Sequence, residues 1–108
     1  MELKHDKLNN FHIIEVSGRL DVNSAEEFEN RVGETINAGN IQLVIDMSGV
    51  EYVSSAGLRC ILLAAKTIKA ESGELRFSGL SGLVEEVFAI SGFKSMFKIY
   101  DTIALAAE

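Results

Sequence analysis

The sequence predicts an α/β domain: a mixed, mostly parallel β-sheet with an N-terminal β-hairpin and about four helices, in the order β-β-α-β-α-β-α-β-α. Three observations predict it. Segments with a helical apolar period alternate with short β-rich runs, the pattern of strands joined by helical crossovers. Proline is absent, and glycines punctuate the ends of the helical segments. The run Ile41-Gln42-Leu43-Val44-Ile45 is nearly all apolar, as a strand buried on both faces must be.

The elements follow in order. Leu3 to Leu8 pairs with Phe11 to Val16 through Asn9-Asn10, because asparagine tolerates the left-handed conformations of tight hairpins. A first helix starts near Ser24 and sets Ala25, Phe28, Val32 and Ile36 on one face. Asn23/Glu26 or Ser24/Glu27 has capping-box spacing at its start. Ile41 to Ile45 is the central strand. A second helix begins near Ser55 and places Leu58, Ile61, Leu62, Ala65 and Ile68 on one stripe. Glu74 to Ser78 alternates as a half-buried strand. A third helix runs from Ser81 with Leu83, Val84, Val87, Phe88 and Ile90 apolar. Lys98-Ile99-Tyr100 is a short last strand, and Thr102 to Ala107 a final short helix. Gly39, Gly73 and Gly92 each follow a helix where a positive φ is expected to end it.

Composition bounds the function. The 108 residues suit one domain, 1–108, with enough chain for a real core. Sixteen acidic against ten basic residues give a formal charge of -6, which argues against nucleic acid and anionic membrane as partners. The longest apolar stretch, Ile61 to Ala65, is far too short for a membrane span, and the N-terminal residues lack the apolar core of a signal peptide. A cytoplasmic location is expected. Cys60 is the only cysteine, so it makes no internal disulfide; it falls beside the apolar stripe of the second helix and reads as a small packed residue. His5, His12 and scattered carboxylates have no metal-ligand spacing, and no phosphate-binding glycine loop is present, so neither metal nor cofactor is expected. The acidic Glu26, Glu27 and Glu29 read as the solvated first turns of a helix. Phe93, Met96 and Phe97 read as core cover, or as an exposed apolar patch for a partner or a weak homodimer; monomer and weak homodimer both remain open.

The chemistry concentrates in Asp46-Met47-Ser48-Gly49-Val50-Glu51-Tyr52-Val53-Ser54-Ser55-Ala56-Gly57-Leu58, between the most buried strand and the best-defined helix. Sites in open α/β sheets collect at the carboxyl ends of strands. One of Ser54 and Ser55 caps the helix, stabilising it by about 1 kcal/mol; the other hydroxyl is left over and accessible. A hydroxyl there invites phosphorylation, which adds about -1.5 to -2 charges beside a helix N-terminus that favours anions. Asp46 ends a buried strand and is expected to organise the following loop by accepting backbone N–H bonds. Asp21, just upstream of the first helix, is a candidate cap for it beside Asn23 and Ser24. A hydrolase nucleophile is excluded at Ser55: the elbow motif needs glycine where Val53 stands, and both histidines precede the serine on the edge hairpin.

Asp46-Met47-Ser48 followed by Ser54-Ser55-Ala56-Gly57-Leu58 resembles the signature of STAS domains, the bacterial anti-anti-sigma factors. Gly18-Arg19-Leu20-Asp21, Gly73-Glu74-Leu75 and Ile90-Ser91-Gly92-Phe93 resemble further landmarks of that family, so the likeness spans nearly the whole chain.

The resemblance implies a switch without catalysis. Ser55 corresponds to the phosphoacceptor, with Ser54 as second choice. An anti-sigma factor that is itself a serine kinase, of the ATP-binding histidine-kinase-like fold, modifies it, and a metal-dependent serine phosphatase reverses the change. The unphosphorylated form binds the anti-sigma factor and frees a sigma factor; phosphorylation blocks binding. Asp21, Ser54, Ser55, Ala56, Gly57 and Arg59 form the implied partner surface, with Asp46 and Ser48 in a structural loop. Many regulators of the family carry aspartate where Ser54 stands and a further serine where Ala56 stands. The alternative is a non-switched STAS scaffold, one subunit of a larger sensory or transport assembly.

Overall fold

A computed structural model describes all residues, 1–108. Five strands form one sheet in sequential order: β1 (Glu2–Leu8), β2 (Phe11–Leu20), β3 (Gln42–Val53), β4 (Glu74–Ser78) and β5 (Lys98–Tyr100). β1 runs antiparallel to β2, and every later neighbour pairs in parallel. The helices are α1 (Ala25–Asn37), α2 (Ser55–Ala70), α3 (Gly82–Ile90), α4 (Phe93–Met96) and α5 (Ile103–Ala106). The mixed α/β class and the hairpin through Asn9-Asn10 are as the sequence predicts, with Leu8 opposite Phe11 and Asn9 at φ +56°. The helices number five: the single turn α4 is too short to show an apolar period.

Two strands are longer than their apolar runs. β2 continues past Val16 to Leu20, and β3 past Ile45 to Val53. The reason lies in two register shifts, between Glu15 and Ser17 and between Gly18 and Arg19. Each makes β3 spend one more residue than β2, as a β-bulge does. The bulges break the two-residue period, yet they keep Met47, Val50 and Val53 buried on the face that already holds Leu43 and Ile45. The segment expected to be a loop is therefore strand.

The sheet is covered unequally. Leu43, Ile45, Ile14, Leu20 and Phe77 face α1 to α4 in one large core. Its aromatic centre is Phe77 against Phe88 and Phe97, with ring centroids 5.4 and 5.1 Å apart, and Phe93 closing the cluster. Such edge-on contacts add about 0.5–1.5 kcal/mol each beyond burial. Phe93 and Phe97 are thus core cover, whereas Met96 points outward. The other face carries a smaller cluster of Phe11, Ile13, Val44, Ala106 and Ala107 under α5. Arg76 holds that helix down. Its guanidinium lies 4.5 Å over the Phe11 ring, donates to the carbonyls of Ala106 (2.9 Å) and Glu108 (3.2 Å), and pairs with Glu74. The Asn9 amide adds a bond to the Ala107 carbonyl at 3.0 Å.

Several local expectations are corrected. No capping box closes α1. Ser24 is already helical at φ -116°, so its hydroxyl turns back, donating to the Arg19 carbonyl at 2.7 Å and accepting from the Asp21 N–H at 3.0 Å. Gly73 is not the left-handed residue after α2; Ser72 is, at φ +61°. Gly73 is required for space instead, since a β-carbon there would sit 2.1 Å from the Ile41 carbonyl oxygen. The buried stripe of α2 is Gly57, Cys60, Ile61, Ala64 and Ile68, with Leu58, Leu62 and Ala65 half-buried at its margin. On α3 only Val84 and Phe88 are buried, while Leu83 and Ile90 face solvent. Cys60 is fully buried, donates to the Gly57 carbonyl at 3.0 Å, and burial pushes its thiol up to about 12, which makes it inert.

Two predictions follow from this packing. Gly57→Ala places a β-carbon 2.5 Å from the Leu20 carbonyl oxygen and 2.9 Å from Val53; it should lower stability by about 1–3 kcal/mol, as overpacking does. Gly33→Ala, inside α1 with open space around it, should raise stability by up to about 1 kcal/mol through helix propensity. Urea unfolding of both variants checks the opposite signs. His5 Nδ1 and His12 Nε2 lie 2.7 Å apart, a hydrogen bond that needs at least one neutral ring. Partial burial lowers both pKa values below the ordinary 6.5, with the positive charges of Arg31 near His5 and Lys7 near His12 adding to it. Because the folded values are depressed, this contribution is full above that pH and lost as pH falls through the folded values. His12→Gln should flatten the pH dependence of stability between about pH 5 and 7, measured by urea melts across that range.

Candidate functional site

The site is built where β3 hands over to α2. The Ser54 N–H donates to the Leu20 carbonyl at 3.0 Å, which ties the last residue of β2 to the first turn of the helix. Ser54 is extended, at ψ 178°, and its hydroxyl accepts from the Gly57 N–H at 3.2 Å. Ser54 is therefore the N-cap. Ser55, the first helical residue, is exposed, and its hydroxyl makes no hydrogen bond within the protein. Two adjacent serines thus have different tasks: one satisfies the helix, the other stands free in solvent.

The surroundings are set by the same handover. Gly57 is buried against Leu20, so it shapes the site from beneath and offers no surface to a partner. Ala56 is half-buried and Arg59 exposed on the first turns of α2. Asp21 follows Leu20 and holds the loop between β2 and α1. One carboxylate oxygen accepts from the Asn23 N–H at 3.0 Å, and the other lies 3.5 Å from Arg19. It shapes that loop, and α1 takes no side-chain cap from it. Arg19 in turn lies 4.5 Å over the Tyr52 ring. Tyr52 and the exposed Val22 complete this end of the sheet. Neither has a sequence signal: Tyr52 is brought beside Arg19 by the second bulge, and Val22 sits in a loop with no period.

Asp46 and Ser48 lie elsewhere, on the α5 side of the sheet and within β3. Asp46 is 6% exposed, and its carboxylate accepts from the hydroxyls of Ser48 (2.8 Å) and Ser78 (3.0 Å). These are side-chain partners, not the backbone N–H groups expected of a loop, because the backbone of this segment is committed to the ladder with β2. Gly79, at φ +74°, passes so close that a β-carbon would lie 2.9 Å from the same carboxylate. Asp46 therefore fastens β3 to the end of β4. It does not join Ser55.

No group of three or more His, Cys, Asp or Glu side chains is placed to hold a metal ion, and no base lies beside Ser55; the two histidines pair with each other on the hairpin. This end of the sheet presents a free hydroxyl on the first turn of α2, with the exposed Arg59 one turn further along the helix and Asp21 in the loop after β2.

Comparison with known proteins agrees with the fold. Residues 3–106 match the STAS domain model. BtrV of Bordetella bronchiseptica, named as an anti-sigma factor antagonist, is 36% identical over 107 residues, covering 99% of this chain and 92% of BtrV. A crystal structure from Thermotoga maritima, named likewise, superposes with a TM-score of 0.90 at 25% identity, over 96% of this chain and 90% of that one. The anti-sigma factor antagonist SpoIIAA in its unphosphorylated form shares the fold at a TM-score of 0.76 and 15% identity, over 98% of this chain and 94% of its own. SpoIIAA in its phosphorylated form shares it at 0.75 and 18%, over 97% and 96%. With the family model spanning both ends of the sheet and all its helices, the chain belongs to the STAS domain family.

Proposed function

We infer that this chain is an anti-sigma factor antagonist switched by phosphorylation of Ser55. The unphosphorylated form binds an anti-sigma factor that is also a serine kinase of the ATP-binding histidine-kinase-like fold, and so releases a sigma factor in the cytoplasm. Phosphorylation blocks that binding, and a metal-dependent serine phosphatase restores it. The domain is a substrate and a binding surface, with no catalytic group of its own. The name of its relative BtrV supports the partner class. One observation carries the switch: Ser54 serves the helix as cap, so the Ser55 hydroxyl can be modified without costing α2 a hydrogen bond.

The physical effect is local. A phosphoryl group adds about -1.5 to -2 charges and three acceptor oxygens where a small neutral side chain stood. It joins Asp21 on a chain that already carries -6, so a docking surface matched to the neutral form is met by bulk and negative charge. The fold accommodates such a group, since SpoIIAA has been solved in both states. Asp21, Ser54, Ala56 and Arg59 border the contact in this reading.

Incubation with the ATP-binding serine kinase of its own host and ATP should add one phosphate, mapped to Ser55 by mass spectrometry. Ser55→Ala should take up none. Phosphorylated protein, and to a lesser degree Ser55→Asp, should bind that kinase at least about tenfold more weakly, as like-charge contacts do. Phosphate found on Ser54 with Ser55 unmodified overturns the assignment. Equal affinity of the phosphorylated and unmodified forms overturns the switch and favours the non-switched scaffold.

A further inference from the structure

We propose that the free edge of β1 pairs with the same edge of a second copy, antiparallel and centred on His5, to join two sheets into one. The proposal is independent of the reading of Ser55, which lies at the β3–α2 handover and not on this edge.

The edge is open, with neither proline nor bulge to blunt it, and its charges are of both signs. β1 has seven residues and is exposed along its length except at Leu3. Exposed edges of this kind are templates for further strands unless charge forbids it. Which backbone groups face outward follows from the hairpin. Leu8 and Phe11 flank a two-residue turn, so they exchange both backbone hydrogen bonds, and the pattern alternates along the strand. The N–H and C=O groups of Leu3, His5 and Lys7 therefore face the free edge. Consistent with this, the Lys7 N–H meets no strand and donates to the carboxylate of its neighbour Asp6 at 2.8 Å.

Charge then selects the occupant and the register. A two-fold axis normal to the sheet keeps each face continuous, so residues opposite one another have the same parity. Centring on His5 sets Lys4 opposite Asp6 of the second copy, and by symmetry Asp6 opposite Lys4. Neither side chain is in an ion pair in the single chain. Both fall at non-hydrogen-bonded positions, where facing side chains are closest. The outward groups match as well: His5 faces His5, and Leu3 faces Lys7, each pair exchanging two backbone hydrogen bonds. The Lys7 N–H passes to the Leu3 carbonyl opposite, and the Asp6 carboxylate is released to Lys4. A slip of two residues either way is penalised. Centring on Lys4 opposes Lys4 to itself and Glu2 to Asp6; centring on Asp6 opposes Asp6 to itself. Centring on Leu3 also opposes Glu2 to Lys4, but it overlaps only Met1 to His5, whereas centring on His5 overlaps the whole of Glu2-Leu3-Lys4-His5-Asp6-Lys7-Leu8. A contact of one strand edge is small, and both copies carry -6, so the dimer is weak and forms at high concentration.

Sedimentation velocity in about 0.15 M salt, where long-range repulsion is screened, should show a monomer moving toward dimer between about 10 µM and 1 mM. Lys4→Glu opposes two carboxylates across the edge twice and should remain monomeric over that range. Lys4→Asp combined with Asp6→Lys exchanges the signs and should restore the dimer. Circular dichroism and a thermal melt of each variant separate lost pairing from lost folding; β1 charges point to solvent, so the fold should hold. A wild-type chain that stays monomeric throughout, or a folded Lys4→Glu chain that dimerises like wild type, overturns the proposal.

Discussion

The Leu20 carbonyl is the contact on which the working end of this molecule depends. It receives the Ser54 N–H at 3.0 Å and lies where a Gly57 β-carbon would need to be. One backbone oxygen therefore fixes both the start of α2 and the distance between that helix and β2. Because the cap is made by Ser54, the next residue is presented at a defined height with its hydroxyl unspent. An N-cap contributes about 1 kcal/mol, but its larger consequence here is positional: it decides which of two chemically identical side chains is free.

That seat is stiffened from two sides. Beneath it, the bulges of β3 let the strand reach Val53 while Met47, Val50 and Val53 stay in the main core. On the other face, Asp46 links Ser48 of its own strand to Ser78 of β4. A buried carboxylate is costly unless its oxygens are satisfied, and each oxygen here has a hydroxyl partner. The result is a long central strand that carries a site beyond the end of β4 without relying on a loop.

The two faces of the sheet differ in the same way as their covers. Four helices close one face around Phe77, whereas a single short helix, α5, lies on the other and is held largely by Arg76 and Asn9. Changes of charge at the β3–α2 end therefore act on a well-supported surface. The switch proposed at Ser55 would accordingly alter what can dock, not how the domain folds.

Much of this was legible in the chain itself. The hairpin, the three long helices, β4 and β5 are local: each is written in apolar spacing and turn residues, and Gly39 and Gly92 end helices through a positive φ that depends only on the adjoining turn. The serine pair at a strand–helix junction is also local, and so was the likeness to STAS domains. Three matters needed the tertiary structure. The continuation of β3 was hidden because bulges erase the two-residue period, and only the β2 partner shows where residues are skipped. Gly73 and Gly57 are required by the carbonyls of Ile41 and Leu20, which are far away in sequence. The division of labour between Ser54 and Ser55 was decided by which residue adopts the extended cap conformation, and that is set by the bond to Leu20. Periodicity determines which way a helix or strand faces; only distant backbone atoms determine where it must stop and how closely it can be approached.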